Sequence, residues 1–155
     1  MSNRQLDILT QQLAQIENLI PQINLTNTKT SKASIGWHLD HSLKVFNVVS
    51  TATIQSNPED YKWTFNFWRA LLLPINYIPR GKAKAPKYVL PPENILEQDI
   101  RNQLETARFN LNALQHLPKT SYFKHFIFGK LSKKKTLRFL QMHTHHHLKI
   151  INKIL

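Results

Sequence analysis

The sequence predicts an all-α protein: a four-helix bundle with one long crossover, made of a short extra helix and a basic loop, between the second and third helices. Three observations predict it. Four stretches repeat apolar residues at spacings of three and four. Strand signals are weak, with only three glycines and no internal repeat. The 155 residues suit one domain over 1–155, which can bury about two-thirds of the surface its unfolded chain exposes.

The first helix carries Leu6, Leu9, Leu13, Ile16 and Ile20 on one face and stops at Pro21. The second follows the capping run "TKTSKAS". Ile35, Leu39, Leu43, Phe46 and Val49 form its core stripe, with Trp37, His41, Val45 and Val48 beside them, a width suited to an inner helix. The crossover reads as a short helix over 58–73 and then the proline-punctuated basic loop "IPRGKAKAP". Trp63, Phe65, Phe67 and Trp68 fall in that short helix and read as core. The third helix is expected from near Pro92, with acidic residues in its first turn, through Ile95, Ile100, Leu104, Ala107, Phe109, Leu111 and Leu114. The fourth starts at Ser132 as a cap and runs to the end of the chain.

Composition narrows the chemistry. There is no cysteine, which excludes disulfides, thiolate ligands and cysteine nucleophiles. The N-terminus lacks the pattern of a leader peptide, and no stretch approaches the roughly 18 apolar residues of a membrane span, so a cytoplasmic protein is expected. Twenty-one Lys and Arg against nine Asp and Glu give a formal charge of +12, which favours anionic partners. The imbalance is concentrated: after Glu105 there is no acidic residue, while ten Lys or Arg follow.

Within that basic third, "MHTHHHLKII" places four histidines in five positions. Thr144 interrupts the run and apolar residues continue it, so it belongs to the fold and is no tag. Residues four apart share a helix face at about 5 to 6 Å between Cβ atoms, so His143 and His147 can meet one ion. They share a stripe with Leu140, Ile150 and Ile154, which faces the interior. His145 points to water, and His146 lies at the edge. A third ligand must come from another helix, and "GWHLDHS" offers His38 and His41, with periodicity slightly favouring His41. The set His41, His143 and His147 suits Zn, Ni, Fe or Mn and leaves coordination positions open, as reactive sites do. A histidine pair at this spacing can equally be a hydrogen-bonded polar position.

The succession of "GWHLDHS", "IPRGKAKAP", "HFIFGKL" and "FLQMHTHHHLKII" resembles the DinB-like, YfiT-like metalloenzyme superfamily, in particular a branch whose last helix reads HxxHHL after an HPxFG-type turn. The resemblance covers nearly the whole chain. It implies a four-helix bundle holding a divalent metal through one histidine of helix two and an i, i+4 pair of the last helix, here His41, His143 and His147. It also implies thiol-dependent transfer, isomerisation or hydrolysis on a small-molecule substrate, with pairing into a homodimer common. Two departures stand out: the turn at His125 to Gly129 has no proline, and His145 occupies a position that is often acidic in the branch.

The metal would acidify a bound thiol or water. Thr144 stands where a metalloprotease helix carries its glutamate, so that chemistry is disfavoured. Asp40, Glu97, Asp99 and Glu105 are the available acidic helpers. His38, His125 and His146 are candidates for the pocket or for orienting a ligand. Arg80 and Lys82, with Lys84 and Lys87, could contact a carboxylate or phosphate, or simply solvate the loop. The alternative function is a non-catalytic basic module binding nucleic acid or an acidic partner, although no helix-turn-helix punctuation or aromatic-interleaved RNA motif is present.

Overall fold

The structure, a computed structural model, describes residues 3–80 and 84–155. Among them are five α-helices and one two-stranded sheet: α1 (Asn3–Leu19), α2 (Ile35–Gln55), α3 (Phe67–Ile75), α4 (Glu97–Gln115), β1 (Tyr122–His125), β2 (Gly129–Ser132) and α5 (Lys133–Ile154). Of the four long helices, α2 packs against both α4 and α5, and α1 packs against the same two. The stripes read from the sequence meet in this core, where Leu9, Leu13, Leu39, Leu43, Leu104 and Leu137 are almost wholly buried; Phe109, expected in the third stripe, is instead 73% exposed, on the outer face of its helix.

Local chemistry sets the boundaries. Pro21 cannot extend α1, and the chain tightens into a 3-10 turn over Ile20–Gln22. Ser34 caps α2 by accepting from the Trp37 amide at 3.1 Å. The first turn of α2 presses against that 3-10 turn: the Gly36 amide donates to the Ile23 carbonyl at 2.8 Å. A Cβ on Gly36 would lie 2.9 Å from that same oxygen.

Three expectations need correction. The chain is not purely helical, because the turn before the last helix is an antiparallel hairpin pairing Tyr122–His125 with Gly129–Ser132. Gly129 makes the reversal with a φ of 68°, a conformation that costs glycine little. The crossover helix is α3, 67–75, instead of 58–73; residues 58–60 form one 3-10 turn and Asn66 starts the helix by accepting from the Arg69 amide at 2.8 Å. The helix expected from Pro92 begins at Glu97, after the Pro91–Pro92 pair.

The crossover aromatics also differ from expectation. Trp63, Phe65, Phe67 and Trp68 are 66, 69, 59 and 51% exposed, so they are surface residues. The bundle is filled by its own four stripes, and α3 instead braces the hairpin. Arg69 is buried and donates from Nη1 to the carbonyls of Phe128 (3.2 Å) and Lys130 (3.3 Å), while Asn66 Nδ2 donates to Ile127 O at 2.8 Å.

The contact at Gly36 gives a test of this packing. Gly36→Ala adds a methyl group where backbone already fills the space, so it should destabilise the protein by about 1–3 kcal/mol despite alanine's better helix propensity. A urea midpoint equal to or above that of the parent chain would contradict the packing described.

Candidate metal centre

The first half of α2 and the second half of α5 run past each other in opposite directions, so His38 meets His147 and His41 meets His143. The structure thereby brings together all three ligand candidates. Ring centroids are 5.2 Å apart for His41 and His143, 4.8 Å for His41 and His147, and 4.7 Å for His143 and His147. One nitrogen from each lies within 4.8 Å of the other two. Nitrogens sharing one ion at about 2.1 Å each cannot be more than about 4.2 Å apart, so ligation would draw the widest pair together through side-chain rotation.

The surroundings fit a cation with neutral nitrogen ligands. Burial, more than any neighbouring charge, holds His143 and His147 well below the usual histidine pKa and also lowers His41. The uncharged form that can ligate therefore prevails at neutral pH. His41 Nδ1 donates to the Val89 carbonyl at 3.0 Å, which leaves Nε2 with the lone pair that could ligate an ion. Trp37 stacks on the His41 ring at 5.1 Å and 22°.

His38, the less favoured of the two α2 histidines, holds a position the sequence did not signal. Its Nδ1 lies 2.9 Å from His147 Nδ1 and its Nε2 lies 3.0 Å from Ser31 Oγ. When His147 donates to His38, and His38 to Ser31, the His147 Nε2 is left with a lone pair for an ion. Ser31 Oγ meanwhile accepts from the Ala33 amide, which fixes it in place. Burial lowers the His38 pKa to about 4, with His41 and Arg80 adding to the effect, so this ring is neutral too.

The other candidates divide. His125 does both things the sequence allowed: its Nδ1 accepts from the amides of Ile127 (3.0 Å) and Phe128 (3.1 Å), holding the hairpin turn, while its ring lines the cavity. Stacking on Phe126 and Phe128 accompanies burial that lowers its pKa to about 4. His146 is half-buried on the cavity rim, 5.1 Å from the His147 ring. Arg80 also lines the cavity and donates to the Thr30 carbonyl; Lys84 lines it too, whereas Lys82 lies outside the described residues. Asp40 is buried but paired with Lys44 at 2.8 Å, with Gln103 donating to it at 3.4 Å, so it faces α4 and not the histidines.

Beside the histidines opens a cavity of about 850 Å³ between α2, α5, the hairpin and the crossover. Part of the C-terminal positive charge is committed elsewhere. Lys133 is buried and donates to the Gln115 and Leu117 carbonyls, and Arg138 to those of Leu73 and Pro74. Arg108 pairs with Glu17 and Glu105. Among the described residues, no helix is long and apolar enough to cross a membrane.

Fold and site together define a helical protein with a buried three-imidazole group that could hold a metal ion. Residues 3–154 match the family described as Protein of unknown function (DUF1569), and the chain belongs to that family. No curated protein and no solved structure matches it.

Burying uncharged histidines has a pH signature. A histidine whose folded pKa lies near 4 takes up its proton in the unfolded chain first, at about 6.5, as the pH falls. The stabilisation is therefore complete above about pH 6.5 and is lost on the way down to about 4, at up to about 1.4 kcal/mol per pH unit for each such histidine. Metal-free protein should show a urea midpoint that is flat above pH 7 and falls steeply from pH 6.5 to 4.5. A constant midpoint over that range would mean that the rings are not buried as described.

Proposed function

We propose that the protein is a divalent-metal-dependent enzyme in which His41, His143 and His147 ligate one ion of Zn, Ni, Fe or Mn, and that it activates a thiol or water for transfer or hydrolysis. The observation that carries this reading is the convergence of three imidazoles from two helices, His41 and His147 buried and His143 half-buried, with the outer nitrogens of His41 and His147 turned to Val89 O and His38. Three neutral ligands leave the charge of a bound ion undiminished, which lowers the pKa of a thiol or water on it and polarises a carbonyl.

The chain's own residues bias the choice between those nucleophiles. Among the described residues, no Asp or Glu lines the cavity, so no carboxylate is in place to shuttle a proton to a poor leaving group. A thiol needs less help, because its proton can leave to solvent once its pKa falls. Thiol-dependent transfer is accordingly the preferred form of the reaction. Arg80, fixed at the cavity edge by its bond to Thr30, is suited to a substrate anion. The placement of one histidine on α2 and an i, i+4 pair on α5 also supports a DinB-like four-helix arrangement for the chain.

Elemental content of tag-free protein tests the reading. About one divalent ion per chain is expected, and His143→Ala and His147→Ala should each lose it. His38→Ala should retain a site weakened by about 10- to 100-fold, since it removes an orienting partner and not a ligand. Full metal content in both ligand variants would overturn the proposal.

A further inference from the structure

The walls of the cavity restrict what can occupy it. Among the described residues its lining includes no Asp, Glu, Asn, Gln, Ser or Thr; apart from the histidines, Arg80 and Lys84, the residues are aliphatic or aromatic. A sugar, nucleotide or other polyhydroxylated molecule would exchange its water for surfaces that offer few neutral hydrogen-bond partners, at considerable cost per group. An apolar body meets no such penalty. The volume of about 850 Å³ lies within the range of sites that enclose a small organic ligand.

Apart from His125, whose Nδ1 is taken up by the amides of the hairpin turn, the polar and apolar parts are segregated along one axis. On α2 the lining residues Trp37, His38, His41, Val45, Val48 and Val49 occupy a single face, with aromatic and imidazole rings at its N-terminal end and valines further on. From His41 to Val49 the helix advances about 12 Å. Because α5 runs the opposite way, its Phe139 precedes the histidines and lies with Phe123 and Phe128 of the hairpin at the valine end. Arg80 stands at the other end, near enough to His38 and His146 to act on their charge.

We propose that the cavity binds an amphiphile whose apolar body, about eight to ten carbons long, lies along Val45, Val48 and Val49 while its single anionic or thiol head meets His41, His143 and His147. The head-group half rests on the metal reading above. The body half stands on the shape and chemistry of the cavity alone. Trp68, Tyr77 and Tyr88, each more than half exposed, line the opening and extend the apolar surface to the outside, where such a molecule would enter.

Calorimetric titration with straight-chain carboxylates from acetate to dodecanoate tests this, using protein supplied with zinc and protein treated with chelator. Affinity should rise by about fourfold per methylene and level off near ten carbons. Zinc should add a constant increment across the series, absent from His147→Ala. Val45→Phe, which fills space on the cavity side, should bring the plateau to shorter chains, and Val48→Asp should flatten the upper part of the series. A flat series, a rise without plateau, or a plateau unmoved by both valine variants overturns the proposed body. A series identical with and without zinc overturns the proposed placement of the head. The metal content of the same samples keeps the two readings apart: a flat series on metal-bearing protein rejects only the amphiphile, and chain-length dependence on protein that binds no metal rejects only the metal-dependent function.

Discussion

The structure around the site depends on keeping a cluster of imidazoles uncharged inside a protein that is strongly basic. Six histidines line the cavity from α2, α5 and the hairpin, and among the described residues no carboxylate lines it to balance a proton. If even two were charged, their mutual repulsion in a medium of low dielectric would oppose the apposition of α2 and α5. Neutrality is maintained by burial, and several of the ring nitrogens have a defined partner. His41 donates to a carbonyl, His125 accepts two amides, and His38 and His147 share one proton. The same requirement that lets the helices close leaves lone pairs pointing at a common space.

The crossover completes this arrangement. Its Lys84, Ala85, Pro86, Tyr88 and Val89 form a wall of the cavity, and Val89 also supplies the carbonyl that fixes His41. Two successive carbonyls are gripped by α2: Val89 O by His41, and Leu90 O by Lys44 Nζ at 3.1 Å. Asp40 holds Lys44 in position for that bond, which gives a buried carboxylate beside the site a structural task and no chemical one. The opposite end of the crossover is α3, whose Arg69 and Asn66 satisfy the carbonyls of the hairpin that carries His125.

Helix spacing made much of this legible. The apolar stripes of the four long helices identify the core because burial on one face is a period of 3.6 and little else. The i, i+4 relation of His143 and His147 likewise follows from helix geometry alone, and the structure brings His41 to them. The hairpin was not legible because two four-residue strands are too short to show alternation, and their carbonyls are satisfied by a side chain 60 residues earlier. The exposure of the aromatics of 63–68 is not legible, because an aromatic run carries no indication of which face the rest of the chain will cover. His38 was undervalued since its partners, His147 and Ser31, come from elements whose closeness depends on the complete fold. The cavity is a property of several elements at once, and no single stretch announces it.

The double grip of α2 on Val89 and Leu90 would tie the hold on any ion bound at the histidines to the stiffness of a surface strap. His41 can present its free nitrogen steadily only while the strap stays seated, and free energies of this kind are reciprocal. Filling the centre should therefore quieten the strap, and anything that lifts the strap, whether a partner, a cleavage or a passing substrate, should loosen the ion to the same degree. Entry to the cavity and retention of its cation would then be two readings of one equilibrium.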